Sequence, residues 1–375
     1  MRIAYTQRIK FIWIGVVELK KRIGILTSGG DCPGLNAAIR GVARASYDLL
    51  DCEIIGIKGG YKGLIDADYK IMAAHDFSGI LTRGGTILGT HRTPFKQMRR
   101  IEEDGIDKVA NMVKHYNQLK LDCLVTIGGN GTHKNANLLR EEGLNIIGLP
   151  KTIDNDIYGT EMTFGFHSAV DIATEVIDRI HTTADSHNRV MLIELMGHKA
   201  GWLTLFSGIA GGADVVLIPE IPYSEEKVYE ALEERRKKGK DFSIIAVAEG
   251  AVNKEEAAMN KKDFKRYREE MPYQTVSYRL ANQISTNLGF ETRVTIPGHQ
   301  QRGGSPSAYD RVLATKLGAY AARLIAEENY GNTVSIVNNK LRATPLEEMA
   351  SKLKLVTRDD DLVKTGEAVG LTYGD

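Results

Sequence analysis

The sequence has 375 residues, of which 42% are hydrophobic and 26% are charged, and its formal net charge is +1. These values are typical of a globular protein with a sizeable core and one large or two medium-sized domains. A net charge near zero excludes a global field that would recruit nucleic acid or an anionic membrane surface. The three cysteines, Cys32, Cys52 and Cys123, have no metal-like spacing, and their odd number argues against a disulfide framework, so we expect a reducing compartment.

Residues 1–20 precede the first regular pattern and are predicted to be an N-terminal extension. The apolar run at 11–17 is far shorter than the roughly 20 residues that a membrane helix needs. No small-residue cleavage site follows it, which argues against a secretory signal. We therefore expect no membrane partner and a cytoplasmic location.

Short apolar runs recur along the rest of the chain, and most of them end in a glycine-rich or polar loop that leads into a helical pattern. They read RIGILTS (22–28), CLVTI (123–127), NIIGLP (145–150), RVMLIELMG (189–197), DVVLIPE (214–220), FSIIAVAEG (242–250) and TRVTIPGHQQRGG (292–304). Continuous apolar strands that alternate with helices predict an α/β fold with two largely parallel sheets. Ligands of such sheets bind beyond the carboxyl ends of the strands, so we expect these loops to form one site.

Two stretches, RRIEEDGIDK (99–108) and EEKVYEALEERRKKGK (225–240), are rich in charged residues. Their pattern is typical of solvated helix faces, and we predict helices there.

Two glycine-rich loops each join a strand to a helix. TSGGDCPG (27–34) contains Gly29 and Gly30, and TIGGNGT (126–132) has a similar layout. Glycine permits backbone conformations that other residues avoid and lets amide N–H groups approach an anion near a positive helix end. Neither loop completes a Walker A or a dinucleotide-binding motif. Each loop alone is as compatible with a simple turn, but the two together favour phosphate binding.

The stretch GLPKTIDND (148–156) places a lysine, a threonine and two aspartates directly after an apolar strand. Loop carboxylates are most often solvated or capping groups. Phosphoryl transfer, however, needs a base to deprotonate the attacking hydroxyl, usually an aspartate, and cations to neutralise the transferring group. Lys151 and Thr152 stand beside Asp154 and Asp156, so the stretch favours one aspartate as base and the other as metal partner.

Further loops carry arginine and histidine. Arg92, Arg189, Arg293 and Arg302 have guanidinium groups that suit phosphate, although each is equally compatible with a surface ion pair. His299 is a candidate neutral donor or a packed histidine. Glu249 ends the strand FSIIAVAE, where a carboxylate could hold sugar hydroxyls, act as a cap or form a salt bridge.

These motifs, in this order, resemble the 6-phosphofructokinase family from about residue 22 to about residue 325. The resemblance rests on TSGGDCPGLNAAIRG, RGGTILGTHR, TIGGNGT, PKTIDND, SHNRVMLIELMG, AGGADVVLIPE, VAEG and GHQQRGGSP. It implies two Rossmann-like, three-layer αβα domains with mostly parallel sheets. Residues 21–165 with about 301–350 would form the phosphoryl-donor domain, 166–300 the fructose 6-phosphate domain and 351–375 a C-terminal tail. It also implies a homotetramer or dimer, with Mg²⁺ as cofactor and ATP as co-substrate.

The resemblance further implies roles for individual residues. Asp154 corresponds to the general base, with Thr152 and Lys151 beside it in the catalytic stretch. Asn130 and Asp156 correspond to the metal side. The sugar phosphate would contact Thr152, Asp156, Met196, Gly197, His198, Glu249, His299 and Arg302. Arg189 and Arg293 would reach into the neighbouring subunit's site. The phosphoryl donor would contact Gly29, Arg92, Gly129, Asn130, Gly131 and Thr132.

Three positions depart from the common bacterial ATP-dependent pattern. Asn130 replaces an aspartate, Lys151 replaces a glycine, and His198, followed by Lys199, replaces an arginine. Asparagine offers a neutral oxygen, although Mg²⁺ prefers charged oxygens and water. Lys151 resembles the pyrophosphate-using members, whereas Gly131 resembles the ATP-using members, because an acid there would crowd and repel the α-phosphate. A steric and electrostatic block of the nucleotide is harder to overcome than the presence of an extra cation. We therefore expect ATP to be the phosphoryl donor.

Three functions remain open from the sequence. The first is ATP-dependent phosphorylation of fructose 6-phosphate to fructose 1,6-bisphosphate in glycolysis, and the second is the pyrophosphate-dependent transfer to the same sugar. The third is a sugar-phosphate or nucleotide sensor without catalysis. Asp154 argues against the sensor, since a binding module has no need of a base at that position.

Overall fold

The computed structural model describes residues 20–103, 105–273 and 275–375, so all but the last residue of the predicted N-terminal extension lies outside the described residues. Within these ranges the strands are β1 (Lys21–Ser28), β2 (Cys52–Ile57), β3 (Tyr69–Met72), β4 (Cys123–Gly128), β5 (Ile146–Pro150), β6 (Val190–Leu195), β7 (Val215–Leu217), β8 (Ser243–Ala248), β9 (Thr292–Thr295), β10 (Asn332–Val337) and β11 (Lys340–Pro345).

The helices are α1 (Leu35–Leu49), α2 (Tyr61–Asp66), α3 (Phe95–Met98), α4 (Lys108–Gln118), α5 (Asn130–Glu141), α6 (Phe166–His187), α7 (Trp202–Ala210), α8 (Glu225–Lys237), α9 (Lys254–Ala258), α10 (Lys261–Glu270), α11 (Val276–Leu288), α12 (Ala308–Ala326), α13 (Leu346–Met349) and α14 (Asp361–Ala368). In the described part of the chain, no helix is both long and apolar enough to cross a bilayer.

The larger sheet has the strand order β11–β10–β5–β4–β1–β2–β3. Its central strands are parallel, and only the two edge strands, β3 and β11, pair in the antiparallel sense. The strands β4 and β5 are buried along their whole length, which explains why they read as continuous apolar runs. The chain leaves β1 towards β2 on one side and returns to β4 on the other, so a crevice opens between β1 and β4 at their carboxyl ends.

The smaller sheet has the order β7–β8–β6–β9 and is parallel throughout. Near the end of the chain, Thr372 forms a parallel bridge with Val215, so the segment predicted as a C-terminal tail extends this sheet beyond β7. Helices cover both faces of the two sheets, and one continuous apolar core runs from the larger sheet through α6 and α7 to the smaller one. The predicted α/β class with two mostly parallel sheets is confirmed.

Helices α1 and α12 approach closely and join the late part of the chain to the early part. A Cβ atom on Gly41 would lie 2.9 Å from the carbonyl oxygen of Thr315, and one on Gly318 would lie 2.6 Å from that of Ala38. Helix α1 begins directly after the first glycine-rich loop. This packing therefore fixes that loop against the segment that follows β9.

The two charged stretches have different structures. The prediction for 225–240 is confirmed, since α8 covers most of it. The helix predicted at 99–108 is wrong: the described residues before Lys108 form turns and irregular backbone. Helix α4 starts only there, where the Asp107 carboxylate accepts a 2.9 Å hydrogen bond from the N–H of Ala110. A run of charges shows that a segment is solvated but does not distinguish a helix from a loop.

Candidate active site

A cleft of about 430 Å³ opens at the carboxyl ends of β1, β4 and β5. It gathers every residue predicted for the donor side, the catalytic stretch and the metal, together with Arg302 of the predicted sugar side. These are Gly29, Arg92, Gly129, Asn130, Gly131, Thr132, Lys151, Thr152, Asp154, Asp156 and Arg302. Five segments that are separate in the sequence therefore form one concave surface at the carboxyl ends of the parallel strands.

The two glycine-rich loops contact one another directly. A Cβ atom on Gly128 would lie 2.1 Å from Oγ1 of Thr132, whose hydroxyl donates a 3.2 Å hydrogen bond to the carbonyl of Ser28. Gly29 has a left-handed backbone, with φ of 86°, and its N–H donates to the carbonyl of His91 at 3.2 Å. Only glycine adopts this conformation without strain, which explains the residue type in this turn.

The backbone at Gly131 borders unfilled space on the donor side of the cleft. No heavy atom lies within 4 Å of the position that a Cβ atom would occupy there. The residue is exposed at the start of α5, where backbone N–H groups lack partners within the helix. The cleft can therefore accommodate an anionic group with further atoms attached to it at this point.

Lys151 is buried, with 4% of its surface exposed, and it joins two loops. Its Nζ donates to the carbonyl of Gly30, and its N–H donates to the carbonyl of Gly128 at 3.0 Å. Burial lowers the pKa of the Lys151 ammonium, and the neighbouring charge of Arg302 lowers it further. The lysine therefore connects the loop after β5 to the loop after β1 and is not a freely solvated cation.

Asp154 and Asp156 both face the cleft because the residue between them reverses the backbone. Asn155 has φ of 49°, a left-handed conformation that asparagine tolerates, and its Oδ1 accepts a 3.1 Å hydrogen bond from the N–H of Thr163. The N–H of Asp154 donates to Oγ1 of Thr152 at 3.1 Å. The turn is thus closed by its own side chains, and both carboxylates line the opening.

The electrostatic environment distinguishes the two carboxylates. The pKa of Asp154 is raised to about 7, chiefly by burial and also by the charge of Asp156, while the charge of Arg302 opposes the shift. Burial also raises the pKa of Asp156, but a hydrogen bond from the side chain of Asn130 opposes the shift. Asp154 therefore has the pKa that a general base needs to exchange a proton near neutral pH.

Asn130 and Asp156 lie in direct contact. Nδ2 of Asn130 donates to Oδ2 of Asp156 at 2.8 Å, which leaves one oxygen of each side chain for another ligand. Among the described residues, no three His, Cys, Asp or Glu side chains form a group that could hold a metal ion by themselves. Mg²⁺ usually binds one or two carboxylates and completes its shell with water and substrate phosphates, so this oxygen pair fits that ion.

A second group of predicted residues lies at the carboxyl ends of the smaller sheet. Met196, Gly197 and His198 follow β6, Glu249 follows β8, and His299 lies in a short turn after β9. The N–H of Glu249 donates to the carbonyl of Leu195 at 2.8 Å, and that of Met196 donates to Oε1 of Gln301 at 3.3 Å. The charge of Glu249 contributes to raising the pKa of Asp154, so this carboxylate lies close enough to the cleft to act on it electrostatically.

Comparisons with known proteins identify the family. The model of the phosphofructokinase family matches residues 22–325. This chain belongs to the phosphofructokinase family. The ATP-dependent 6-phosphofructokinase of Spirochaeta thermophila is 56% identical over 95% of this chain and 98% of that protein. ATP-dependent 6-phosphofructokinase 3 of Bacteroides thetaiotaomicron is 47% identical over 94% of this chain and 100% of that protein.

Solved structures of phosphofructokinases share the fold. Pichia pastoris phosphofructokinase in the T-state is 34% identical with a TM-score of 0.76, over 89% of this chain and 36% of that chain, so this chain spans little more than a third of its length. The pyrophosphate-dependent phosphofructokinase of Nitrosospira multiformis has a TM-score of 0.76 at 18% identity, over 90% of this chain and 86% of that one. The second likeness bears on the fold alone.

Two predicted site residues lie away from the cleft of this phosphofructokinase chain. Arg189 directly precedes β6, and Arg293 lies near the start of β9, opposite Met191. Both guanidinium groups pair with the Glu291 carboxylate, at 2.8 and 2.6 Å. The length of a six-residue strand, roughly 20 Å, separates this end of the sheet from Met196. The structure thus does not bring these arginines into the cleft of their own chain.

The sequence gives no indication of Lys354, which lies beside the carboxylate loop. Its N–H donates to the carbonyl of Asp156 at 2.9 Å. Burial lowers the pKa of the Lys354 ammonium to about 8, although the charges of Asp156 and Glu161 oppose the shift. Its contacts are mainly with main-chain atoms, which every residue type offers, so no motif marks them.

Proposed function

We propose that this chain is an ATP-dependent 6-phosphofructokinase, which transfers the terminal phosphoryl group of ATP to the 1-hydroxyl of fructose 6-phosphate in the presence of Mg²⁺. One observation carries the proposal: the buried Asp154 carboxylate lines the cleft formed by the glycine-rich loops and lies close enough to Glu249, after β8, for that charge to act on it. The names of the relatives at 56% and 47% identity, which align over nearly their full lengths, support the same reaction.

In this reaction Asp154 accepts the proton of the 1-hydroxyl as that oxygen attacks the terminal phosphorus, and the bond from this phosphorus to the bridging oxygen breaks to release ADP. Thr152 supports the base through its hydrogen bond to the N–H of Asp154. The Arg302 guanidinium lies against Gly30 in the same cleft and offers positive charge to the transferring group. Asp156 and Asn130 would hold Mg²⁺, which supplies neutralisation of the phosphate charge when bound.

The two substrates would occupy opposite sides of Asp154. On the donor side, backbone and side-chain groups would bind the phosphates of ATP; they are Gly29, Arg92, Gly129, Gly131 and Thr132. On the sugar side, the acceptor would contact Met196, Gly197, His198, Glu249 and His299. Proximity of the two substrates then accounts for much of the rate, because the base and the phosphorus are held in fixed geometry.

The choice of ATP over pyrophosphate rests on Gly131 and Lys151. The space beside Gly131 can accommodate a nucleotide phosphate chain that an acidic side chain would repel. Lys151, the residue that resembles pyrophosphate-using members, donates to the carbonyl of Gly30 and is buried. An ammonium group engaged in this way adds little free charge for a small donor. Both observations support ATP.

We further propose that residues 21–165 with about 301–350 form the donor domain and that 166–300 form the sugar-phosphate domain. The close packing of α12 against α1 supports this division. The enzyme would act in the cytoplasm as a homotetramer or dimer in which Arg189 and Arg293 complete a neighbouring subunit's site. Such a role would give these arginines a function at the amino ends of β6 and β9, remote from their own cleft.

A donor assay tests the proposal. Fructose 6-phosphate and Mg²⁺ are offered with either ATP or pyrophosphate, and fructose 1,6-bisphosphate is measured. We expect product with ATP. If product forms with pyrophosphate but not with ATP, the chain is the alternative pyrophosphate-dependent phosphotransferase. If no product forms with either donor, a non-catalytic sensor is favoured.

Two substitutions at one position test the donor argument. Gly131→Asp adds an acid where Gly131→Ala adds only a methyl group, so their difference isolates the carboxylate. We expect the aspartate variant to have a KM for ATP about tenfold or more above that of the alanine variant, because like charges would meet at a phosphate. Equal KM values for ATP in the two variants would refute the role of this open space.

A further inference from the structure

A short segment near the end of the chain lies beside the carboxylate loop. We define residues 353–356 as the strap. Leu353 and Ile157 form an antiparallel bridge, and the N–H of Lys354 donates to the carbonyl of Asp156 at 2.9 Å. The strap therefore holds the backbone of a cleft carboxylate directly. It also lies beyond residues 22–325, to which the family model extends.

The side chain of Lys354 adds two contacts with the same loop. Its Nζ donates to the carbonyls of Thr160 and Glu161, at 3.1 and 2.7 Å. Residues 155–163 form no regular helix or sheet ladder, and backbone groups in such a loop need partners of other kinds. Lys354 thus ties the loop at both ends: at Asp156 through its main chain and at 160–161 through its ammonium group.

The opposite side of the strap contacts the start of α7. The carbonyl of Lys354 accepts a 3.0 Å hydrogen bond from Nε1 of Trp202. The carboxylate of Glu220 accepts hydrogen bonds from the N–H groups of Val356 and Gly201, both at 3.0 Å. Gly201 and Trp202 follow the loop at 196–200, which belongs to the predicted sugar side. The strap therefore connects the carboxylate loop to the base of the sugar-side loop.

We propose that Lys354 is a positioning residue for phosphoryl transfer. It fixes the position of the loop that contains Asp154 and Asp156 relative to the loop after β6. The inference rests on the proposed function. The side chain of Lys354 contacts main-chain atoms and Trp202. It does not contact the residue to which we assign proton transfer. Its effect is on geometry, and small displacements of reacting groups are costly in enzymes.

Three substitutions of Lys354 test the assignment by grading the hydrogen bonds that remain. Lys354→Arg keeps donors for both carbonyls, Lys354→Gln keeps donors without charge, and Lys354→Met keeps only the shape of the chain. We expect kcat to fall in the order Arg, Gln, Met, with a loss of about 10- to 100-fold for Lys354→Met and little change in the KM values of both substrates.

A neighbouring lysine provides the matched control. Lys352 directly precedes the strap, is exposed, and places its Nζ 4.0 Å from the ring centroid of Tyr158. Lys352→Met should leave kcat close to that of the parent enzyme. Equal kcat losses in Lys352→Met and Lys354→Met would overturn the proposal, as would a Lys354→Met enzyme with the parent's kcat. If Lys354→Met does not fold, the kcat of Lys354→Gln is compared with that of Lys354→Arg. Equal kcat values in these two variants would refute the positioning role of Lys354.

Hydrogen exchange gives a readout that does not depend on activity. In Lys354→Met, amides at 157–163 should exchange about tenfold faster, because the loop loses two hydrogen bonds, whereas amides in α1 should be unchanged. Unchanged exchange at 157–163 would overturn the positioning role. If the parent enzyme forms no product with either donor, the proposed function fails, while the exchange experiment still reports whether Lys354 holds the loop.

Discussion

The donor side and the sugar side of the cleft are built in different ways. On the donor side, three loops after β1, β4 and β5 contact one another through hydrogen bonds such as those of Thr132 and Lys151. On the sugar side, the residues after β6, β8 and β9 form one group, but Arg189 and Arg293 lie at the other end of the same sheet. Under the proposed function, one chain would therefore supply the predicted donor residues by itself, whereas the predicted sugar-phosphate residues would need a second chain.

This difference shows how a sheet divides its functional residues. Residues at the carboxyl ends of parallel strands converge within one chain, because the strands all point the same way. Residues at the amino ends of the same strands can act only on something that lies outside that crevice. For Arg189 and Arg293, a second copy of the chain is the partner that the proposed function supplies.

The largest expected effect comes from removing the group that both sides share. Asp154→Asn keeps the shape of the side chain but abolishes its basicity, so kcat should fall by about 10²- to 10⁴-fold while the KM values change little. Steady-state formation of fructose 1,6-bisphosphate measures both. Asp31→Asn, which removes a charge from the same cleft, should cost much less. Near-native turnover of Asp154→Asn would rule out this aspartate as the base.

An intermediate effect should separate the two sides. Arg189→Ala and Arg293→Ala should each raise the KM for fructose 6-phosphate by about 10- to 100-fold and leave the KM for ATP unchanged, because a charge-assisted hydrogen bond to the sugar phosphate is lost. Arg179→Ala is the control, since Arg179 is exposed and pairs with Glu175 on its own helix.

Mixed oligomers sharpen this test. When Asp154→Ala and Arg189→Ala chains are co-expressed, some sites in a hybrid should combine an intact base from one chain with an intact arginine from the other. Activity above the sum of the two separate variants indicates a shared site. If no hybrid gains activity, Arg189 does not complete a neighbouring subunit's site.

The smallest expected effect concerns stability behind the donor loop. His133 is buried and donates from Nδ1 to the carbonyl of Gly129 at 3.0 Å, and burial lowers its pKa to about 4. Above its unfolded pKa of about 6.5 the imidazole is neutral in both states. Below that value the unfolded chain binds a proton that the folded chain binds only near pH 4, so stability falls as pH decreases between these two values.

The measurement compares variants across this pH range. Between pH 6.5 and pH 5, the parent's free energy of unfolding should decrease by about 2 kcal/mol more than that of His133→Gln. His75→Gln is the control, because the side chain of His75 is exposed. The sugar side provides a contrast, because the buried ion pair there joins Glu256 to Arg279 at 2.8 Å and involves no histidine. Identical pH slopes in the parent and His133→Gln would contradict the assignment.

The parts of the fold that are buried on both faces could be predicted from the sequence. The runs at 22–28 and 123–127 match β1 and β4 to within one residue, because central parallel strands are apolar without interruption. The edge strand β3 is mostly exposed and reads YKIM, and the sequence does not predict it. β11 likewise alternates between partly exposed and exposed residues for most of its length. An edge strand buries too little surface to leave a clear pattern.

The same distinction applies to the candidate site. Loops of unusual composition, such as GLPKTIDND, could be singled out because their side chains are rare in that combination. The contact of Asn130 with Asp156, the engagement of Lys151 by Gly30 and the position of Lys354 depend on distances that no local pattern encodes. Lys151 is the clearest example. A lysine at this position of the sequence suggests a phosphate ligand, whereas its contacts in the structure indicate a link between two loops.

The bridge between Val215 and Thr372 has a consequence for biosynthesis. The strand β7 leaves the ribosome well before Thr372, so the segment that covers its free edge is synthesised much later than the strand itself. Until then the edge of the smaller sheet has unpaired N–H and C=O groups, which can pair with other chains. We therefore expect nascent or truncated chains that lack residues 370–375 to be more prone to aggregation than the full-length protein.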